Sequence, residues 1–206
     1  MHRILRTAAA AVTLTFVSLQ FAAAQQPAPT TRIRGQIEAV DGDMLKIKGR
    51  DGAAFAVKLA DNPRVMAMVK ASMSDIKAGS YIGVTAMPQP DGSQKAIAIH
   101  IFLEAMRGTG EGFRPWDLRP NSTMTNATVD QKVEANDGDT IVVKYKDGEK
   151  KVVVPPDTPI VTFVAAEKSE LKPGAKIIIM GATKKDDGTL ETNRVNVGLN
   201  GITPPM

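Results

Sequence analysis

Alternating apolar and polar positions dominate the chain after residue 31 and predict short β-strands. Residues 33–39, 44–48 and 54–59 each place apolar side chains at about every second position, which is the period of a half-buried strand. Asp-Gly pairs at 41–42 and 51–52 separate these segments, and glycine there accepts the positive φ of a tight turn. The first part of the chain is therefore predicted to be a three-stranded meander.

The hydrophobic period changes after the third strand. Val65, Met68 and Val69 lie at helical spacing, so a short helical insert is predicted before the next strands. Alternation then returns at 81–86 and 96–102 and predicts a fourth and a fifth strand.

The turns of this unit recur further along the chain at a constant shift. The Asp-Gly pairs at 41–42 and 91–92 reappear at 137–138 and 187–188, 96 positions later in both cases. This regularity indicates a tandem duplication. The third strand of the second unit must end before Pro155, because proline cannot donate a ladder hydrogen bond. The strands of the second unit are predicted at 128–135, 140–145, 151–154, 176–182 and 190–197.

Three strands, a helical insert and two strands is the order of an OB-like barrel. The chain is therefore predicted to be mostly β, with two tandem five-stranded OB-like barrels, each with a short helical insert between strands 3 and 4. A pair of five-stranded sheets packed as a sandwich is the alternative. The predicted organisation is a signal peptide at 1–24, a disordered tether at 25–31, repeats at 32–102 and 126–198, a connector at 103–125 and a tail at 199–206.

The turn and core residues carry a resemblance to a known family. Segments 35–37 (GQI), 40–42 (VDG), 45–48 (LKIK) and 75–79 (DIKAG) form a pattern that resembles a bacterial exported family of unknown function. Its members carry one or more copies of a small OB-like β domain, so the resemblance implies that fold and export, but no activity. Some relatives are labelled metal-transporter permeases. No apolar segment after the N-terminus is long enough to span a bilayer, which argues against that role.

The N-terminus has the three parts of a secretory signal. Basic residues at 2–6 precede an apolar stretch at about 8–21, and Ala22–Ala24 ends it, so cleavage near Ala24 and a periplasmic or secreted protein are expected. Residues 1–24 contain two arginines and no acid, so cleavage lowers the formal charge from +4 to +2. A nearly balanced charge argues against a nucleic-acid partner.

The amino-acid composition excludes several classes of functional site. The chain has no cysteine and two histidines, His2 and His100, which excludes disulfide scaffolds, thiol catalysis and zinc ribbons. No nucleophile with an adjacent base and no pair of cleft carboxylates is marked by the sequence. We therefore expect a protein that is not an enzyme and has no cofactor.

The connector 103–125 is not repeated and contains the single tryptophan of the chain. One hypothesis is a binding loop, with Phe113 and Trp116 as apolar anchors and arginines as anion contacts. The alternative is that Trp116 packs in the seam between the two repeats, while Arg114 or Arg119 pairs with Asp117. The candidate binding residues are Arg107, Phe113, Arg114, Trp116, Asp117 and Arg119.

A weaker hypothesis is a metal site that uses thioether ligands. Met66, Met68, His100 and Met106 are the candidates, because methionine sulfur suits Cu(I). Methionine in a helical insert commonly fills gaps in a core instead. His100 alternates with Ile99 and Ile101, so a surface histidine is expected.

Two functions follow as hypotheses. The first is a non-enzymatic exported protein that binds an envelope protein, a polymer or a small ligand at a barrel face or at the connector. The second is a periplasmic copper-handling protein that uses methionine and His100. The oligomeric state is not predicted by the sequence.

Overall fold

Twelve β-strands make up the regular structure of residues 29–133 and 138–206, which are the residues that the computed structural model describes. Three short 3-10 turns, at Met73–Asp75, Glu104–Met106 and Lys168–Glu170, join some of them. The strands are β1 (Thr30–Asp41), β2 (Met44–Gly49), β3 (Ala54–Ala71), β4 (Tyr81–Pro88), β5 (Gln94–Ile101), β6 (Gly112–Pro115), β7 (Thr123–Val133), β8 (Asp139–Tyr145), β9 (Gly148–Val154), β10 (Ile160–Ala165), β11 (Lys176–Lys184) and β12 (Leu190–Gly198).

Five strands close into a barrel. They run in the order β12-β11-β1-β2-β3, and β12 pairs in parallel with β3 to complete the circle. The apolar positions that alternate along these strands point inward, and Ile37, Leu45 and Ile177 are completely buried there. Strands from both halves of the chain therefore share one core.

The second strand group has the order β5-β4-β7-β8-β9, and β5 also pairs in parallel with β9 at Gln94–Val152 and Lys95–Val153. It has its own apolar cluster, which includes Ile82, Val84 and Val143. β10 lies between the barrel and this group, because it pairs with β3 on one side and with β5 on the other.

The prediction of a mostly β chain is confirmed, but two tandem barrels are not. The last two strands of the first repeat, β4 and β5, pair with β7 and β9 of the second repeat, and the barrel combines β1–β3 with β11 and β12. The cause is the length of β3. A fully extended strand of 18 residues would span roughly 60 Å, and β3 is interrupted near Asn62, which has a positive φ. β3 carries the chain out of the barrel and delivers β4 to the second strand group.

The predicted helical inserts are not confirmed either. Residues 64–71 form the second half of β3, and the equivalent residues of the other repeat form β10. Both faces of β3 are covered here, so the adjacent residues Ala67 and Met68 are both buried. The third strand of the second repeat ends at Val154, before Pro155, as predicted.

β3 and β10 meet at an approximate two-fold axis. They are antiparallel, and Met68 faces Phe163 while Ala67 faces Val164. The repeat shift of 96 converts one of these pairs into the other. The two repeats are therefore related by this axis, and strands of each repeat pair with strands of the other.

The segments outside the repeats are partly described. The predicted signal peptide and residues 25–28 of the predicted tether lie outside the described residues, and Thr30 and Thr31 begin β1. The predicted tail is packed, since Met206 is buried and its carbonyl oxygen accepts a hydrogen bond from Arg34. The described residues contain no helix with the length and hydrophobicity of a membrane span.

Candidate functional site

A cleft of about 520 Å³ lies where the barrel, β10 and the second strand group meet. The outer face of β5-β4-β7 forms one side, while β3, β11 and β12 contribute the other. The connector covers part of the opening. Five methionines, three aromatic side chains and three arginines contribute to the lining. Its residues include Arg64, Met66, His100, Phe102, Leu103, Met106, Arg114, Trp116, Met124, Asn126, Phe163, Met180, Arg194, Asn196 and Met206.

Sheet register places two polar side chains over one glycine. Gly83 on β4 pairs with His100 on β5 and with Asn126 on β7, so the three residues form a row across the sheet. A Cβ at Gly83 would lie 2.0 Å from His100 Cε1 and 2.7 Å from Asn126 Oδ1. Because Gly83 has no side chain, the His100 imidazole and the Asn126 amide can lie directly above the backbone of β4.

His100 is a buried, neutral imidazole. Its residue is 3% exposed, and its ring packs edge-on against Phe102 at 4.6 Å and Phe163 at 5.8 Å between centroids. Burial, with a smaller contribution from the charge of Arg114, lowers the pKa of His100 to about 3. The prediction of a surface histidine is wrong, because β10 and the connector cover the face on which it lies.

Three cleft side chains contain a buried polar atom without a hydrogen-bond partner: His100 Nδ1, Asn126 Oδ1 and Trp116 Nε1. The amide nitrogen of Asn126 does donate to the carbonyl oxygen of Thr109 at 2.9 Å, so the amide is held in place while its oxygen has no partner. Unsatisfied buried polar atoms are rare in native proteins. Four other described residues, Arg32, Thr85, Thr125 and Thr158, also contain such an atom, but only these three line the cleft.

Trp116 is surrounded by guanidinium groups. The Arg32 guanidinium carbon lies 3.9 Å from the ring centroid, and that of Arg114 lies 5.5 Å away. Asp117 neutralises part of this charge, since it forms ion pairs of 2.7 Å with both Arg32 and Arg34. The hydrogen bonds from Arg34 and then Arg32 lower the pKa of Asp117 to about 2.

Two further arginines line the opposite side of the cleft. Arg64 on β3 and Arg194 on β12 are directly paired in the parallel ladder, and both are exposed. Within residues 29–133 and 138–206, no carboxylate forms a salt bridge with Arg64, Arg114 or Arg194. This side of the cleft is therefore positively charged.

The structure brings some of the candidate connector residues together. Arg114 and Trp116 line the cleft, and Asp117 lies beside them, paired with Arg32 and Arg34 rather than with Arg114 or Arg119. The other three are elsewhere. Arg107 pairs with Glu104 at 2.6 Å, Phe113 lies under Lys150, and Arg119 lines a separate depression.

The candidate metal ligands are also partly assembled. Met66, His100 and Met106 line the cleft, whereas Met68 is completely buried in the apolar cluster beside it. Among the described residues, no group of three or more histidines, aspartates or glutamates could hold a metal ion.

Sequence reasoning missed several cleft residues, notably Arg64, Asn126 and Arg194. One signal could have found part of the site, because His100 and Asn196 are 96 positions apart and thus occupy equivalent places in the two repeats. Both line this cleft. The arginine pair forms only through the exchange of strands, which no local pattern indicates.

Comparisons with known proteins add no family to this description, since no family model, no curated protein and no solved structure matches the chain. The geometry of the cleft alone therefore carries the argument on function.

Proposed function

We propose that this protein is a non-enzymatic binding protein that holds a small ligand in the cleft between the barrel and the second strand group. The observation that carries the proposal is the set of buried polar atoms without partners on His100, Asn126 and Trp116. An unsatisfied buried polar atom costs about 1–3 kcal/mol. A bound ligand that displaces the side chains covering these atoms and supplies the missing hydrogen bonds would recover this free energy.

The shape and lining of the cleft support the same function. Small-molecule sites are usually mostly apolar concavities of about 300–1,000 Å³ with a few polar groups that orient the ligand. A cleft of about 520 Å³, lined by methionine and aromatic side chains around His100 and Asn126, has this composition.

The proposal includes an exported location and a second barrel. The N-terminal pattern that predicts a signal peptide supports a periplasmic or secreted protein. The separate apolar cluster of the second strand group and the β5–β9 pairing support a second OB-like barrel that has exchanged strands with the first.

The single tryptophan offers a direct test, because Trp116 lines the cleft. Protein purified after export is extracted and examined by native and denaturing mass spectrometry for a released small molecule. Compounds found in this way are then titrated while Trp116 fluorescence is followed. We expect a saturable change with one ligand per chain.

A blocking variant makes the test specific to the cleft. Ala105 is exposed and lines the cleft, so Ala105→Phe narrows it without overpacking a core. Ala54→Phe, at an exposed position at the start of β3, is the matched control. Binding should be lost in the first variant and kept in the second. Equal binding by both variants would place the ligand elsewhere.

A copper-handling function is the second candidate, since Met66, His100 and Met106 line one cleft together with Met124 and Met180. Thioether and neutral imidazole groups are ligands that suit Cu(I). Anaerobic titration with Cu(I) against a competing chelator tests this candidate, with Met66→Leu and Met106→Leu as variants. The nearby arginines disfavour any cation, so we expect the chelator to retain the copper.

A further inference from the structure

We infer that the cleft selects an amphipathic anion, a ligand with an apolar body and one carboxylate or phosphate group that the Arg64–Arg194 pair binds. This inference rests on the proposed function and specifies the class of ligand. It follows from the way in which apolar and charged side chains are divided across the cleft.

The apolar body is indicated by the side chains around His100. Phe102 and Phe163 stack at 5.9 Å between centroids, and Met124 and Met206 are almost completely buried next to the cleft. Flexible methionine side chains adapt to aliphatic and aromatic shapes alike. Phe102, Leu103 and Met180 line the same cleft but are partly exposed, and a ligand without an apolar part would leave them in contact with water.

The anionic group is indicated by like charges that lie side by side. Arg64 and Arg194 are neighbours in the ladder between β3 and β12, and like charges directly opposite on adjacent strands repel each other. No aspartate or glutamate appears among the described lining residues of the cleft. An anion placed between the two guanidinium groups would attract both of them and offset their mutual repulsion.

Arg114 extends the positive region towards His100. Its charge acts on the imidazole, and its only described hydrogen bond is donated to the carbonyl oxygen of Gly110 at 2.7 Å. Asp117, the acid beside Trp116, already pairs with Arg32 and Arg34. A cationic ligand would therefore meet uncompensated repulsion at every charged position of the cleft.

Guanidinium geometry restricts the anion further. The planar fork of arginine matches the two oxygens of a carboxylate or phosphate. Two adjacent forks can hold one such group, and the structure does not distinguish the two chemistries. Both are therefore included in the experiment as separate arms.

The test compares four probes with the same twelve-carbon chain, each kept below its micelle concentration or, for the alcohol, below its aqueous solubility. They are dodecanoate, dodecyl phosphate, 1-dodecanol and dodecyltrimethylammonium, titrated by calorimetry and by Trp116 fluorescence. We expect at least one anion to bind at least tenfold more tightly than the alcohol, and the cation not to bind. The stronger of the two anions identifies the headgroup.

Variants assign the selectivity to the arginine pair. Arg64→Gln combined with Arg194→Gln should weaken binding of the preferred anion at least tenfold and leave the alcohol unchanged. Lys46→Gln combined with Lys48→Gln removes the same charge from exposed positions of β2, outside the cleft lining, and should leave both affinities unchanged.

Salt dependence is a second measurement that needs no variant. Binding of the anion should weaken as sodium chloride is raised, because the contribution of exposed charges is screened, while binding of the alcohol should not weaken. Equal affinities of alcohol and anions would overturn the inference and leave the binding cleft intact. Failure of all four probes, together with the absence of any ligand in the exported protein, would overturn the proposed function itself.

Discussion

Arg64 and Arg194 are paired across the parallel ladder of β3 and β12, and both side chains line the same cleft. One comes from the first repeat and the other from the last strand of the second repeat. Their proximity exists only because the two repeats exchange strands. It places two like charges together at a position where a folded protein without a ligand gains nothing from them.

The arginine pair is expected to reduce stability in the absence of ligand. Replacing Arg64 by Gln removes the repulsion, so the free energy of unfolding should rise by about 0.2–1 kcal/mol at low salt. The thermal midpoint should then rise by roughly 1–3 °C. Differential scanning calorimetry without ligand measures this, with Lys46→Gln as control. A lower midpoint for Arg64→Gln would show that the arginine has a structural role.

His100 should make stability depend on pH in mildly acidic solution. Its pKa is about 3 in the folded protein, whereas an unfolded histidine titrates near 6.5. At a pH between these two pKa values, His100 is protonated in the unfolded chain but not in the folded protein. The free energy of unfolding therefore falls as the pH falls, by up to about 1.4 kcal/mol per pH unit, and no further contribution is lost below pH 3.

Urea denaturation between pH 7 and pH 4.5 measures this slope. His100 is the only histidine after residue 24, so His100→Gln should flatten the pH dependence in that range. An identical slope in the variant and the unchanged protein would mean that His100 is not buried in the neutral form.

Gly83 should not tolerate a side chain. An added Cβ would lie 2.0 Å from the His100 ring, so Gly83→Ala must displace the imidazole and should cost about 1–3 kcal/mol of stability. Binding in the cleft should weaken as well. Gly181→Ala on β11 is the control, because its nearest contact would be an ordinary 3.4 Å. Chemical denaturation of the two variants measures the difference.

Trp116 should contribute to the attachment of the connector. Replacement by alanine removes the contact with the Arg32 guanidinium and a half-buried indole, which should cost about 1–3 kcal/mol. Phe113→Ala, at a side chain that is 39% exposed, should cost less. Thermal unfolding followed by circular dichroism compares the two, and equal midpoints would contradict a packing role for Trp116.

Strand exchange predicts that the two halves of the chain depend on each other. A fragment of residues 25–102 has β1–β3 without β11 and β12, and residues 103–206 lack β4 and β5. Each fragment alone should be unfolded or aggregated, and mixing them should restore the native β signal and the dispersed amide resonances. Two fragments that fold independently would instead indicate tandem barrels.

Much of the local structure could be predicted from the sequence, because turns and alternation are local signals. The turns at 41–42 and 91–92 and the end of β9 before Pro155 are where the pattern placed them. The second half of β3 was missed because it is covered on both faces. Such a strand loses its two-residue period, and its apolar positions then resemble those of a helix.

The pairing of the repeats could not be predicted for a different reason. A duplicated sequence offers every strand two equivalent partners, and the hydrophobic pattern is satisfied by either choice. The cleft depends on that choice, since it joins Arg64 and Arg194 and places His100 near Asn196. Arg114, Trp116 and His100 were recognisable as unusual residues, but their common location was not.

The pairing of β1 with β11 also sets the timing of folding. Thr30 lies opposite Thr183, so the first strand of the protein gains its outer neighbour only when residues near the end of the chain are available. Contacts this distant in sequence form slowly. During synthesis β1 and β3 can pair with β2 but stay without β11 and β12, so the barrel closes only after nearly the whole polypeptide has emerged. Such a delay would be compatible with the proposed export, in which the chain crosses a membrane before it folds.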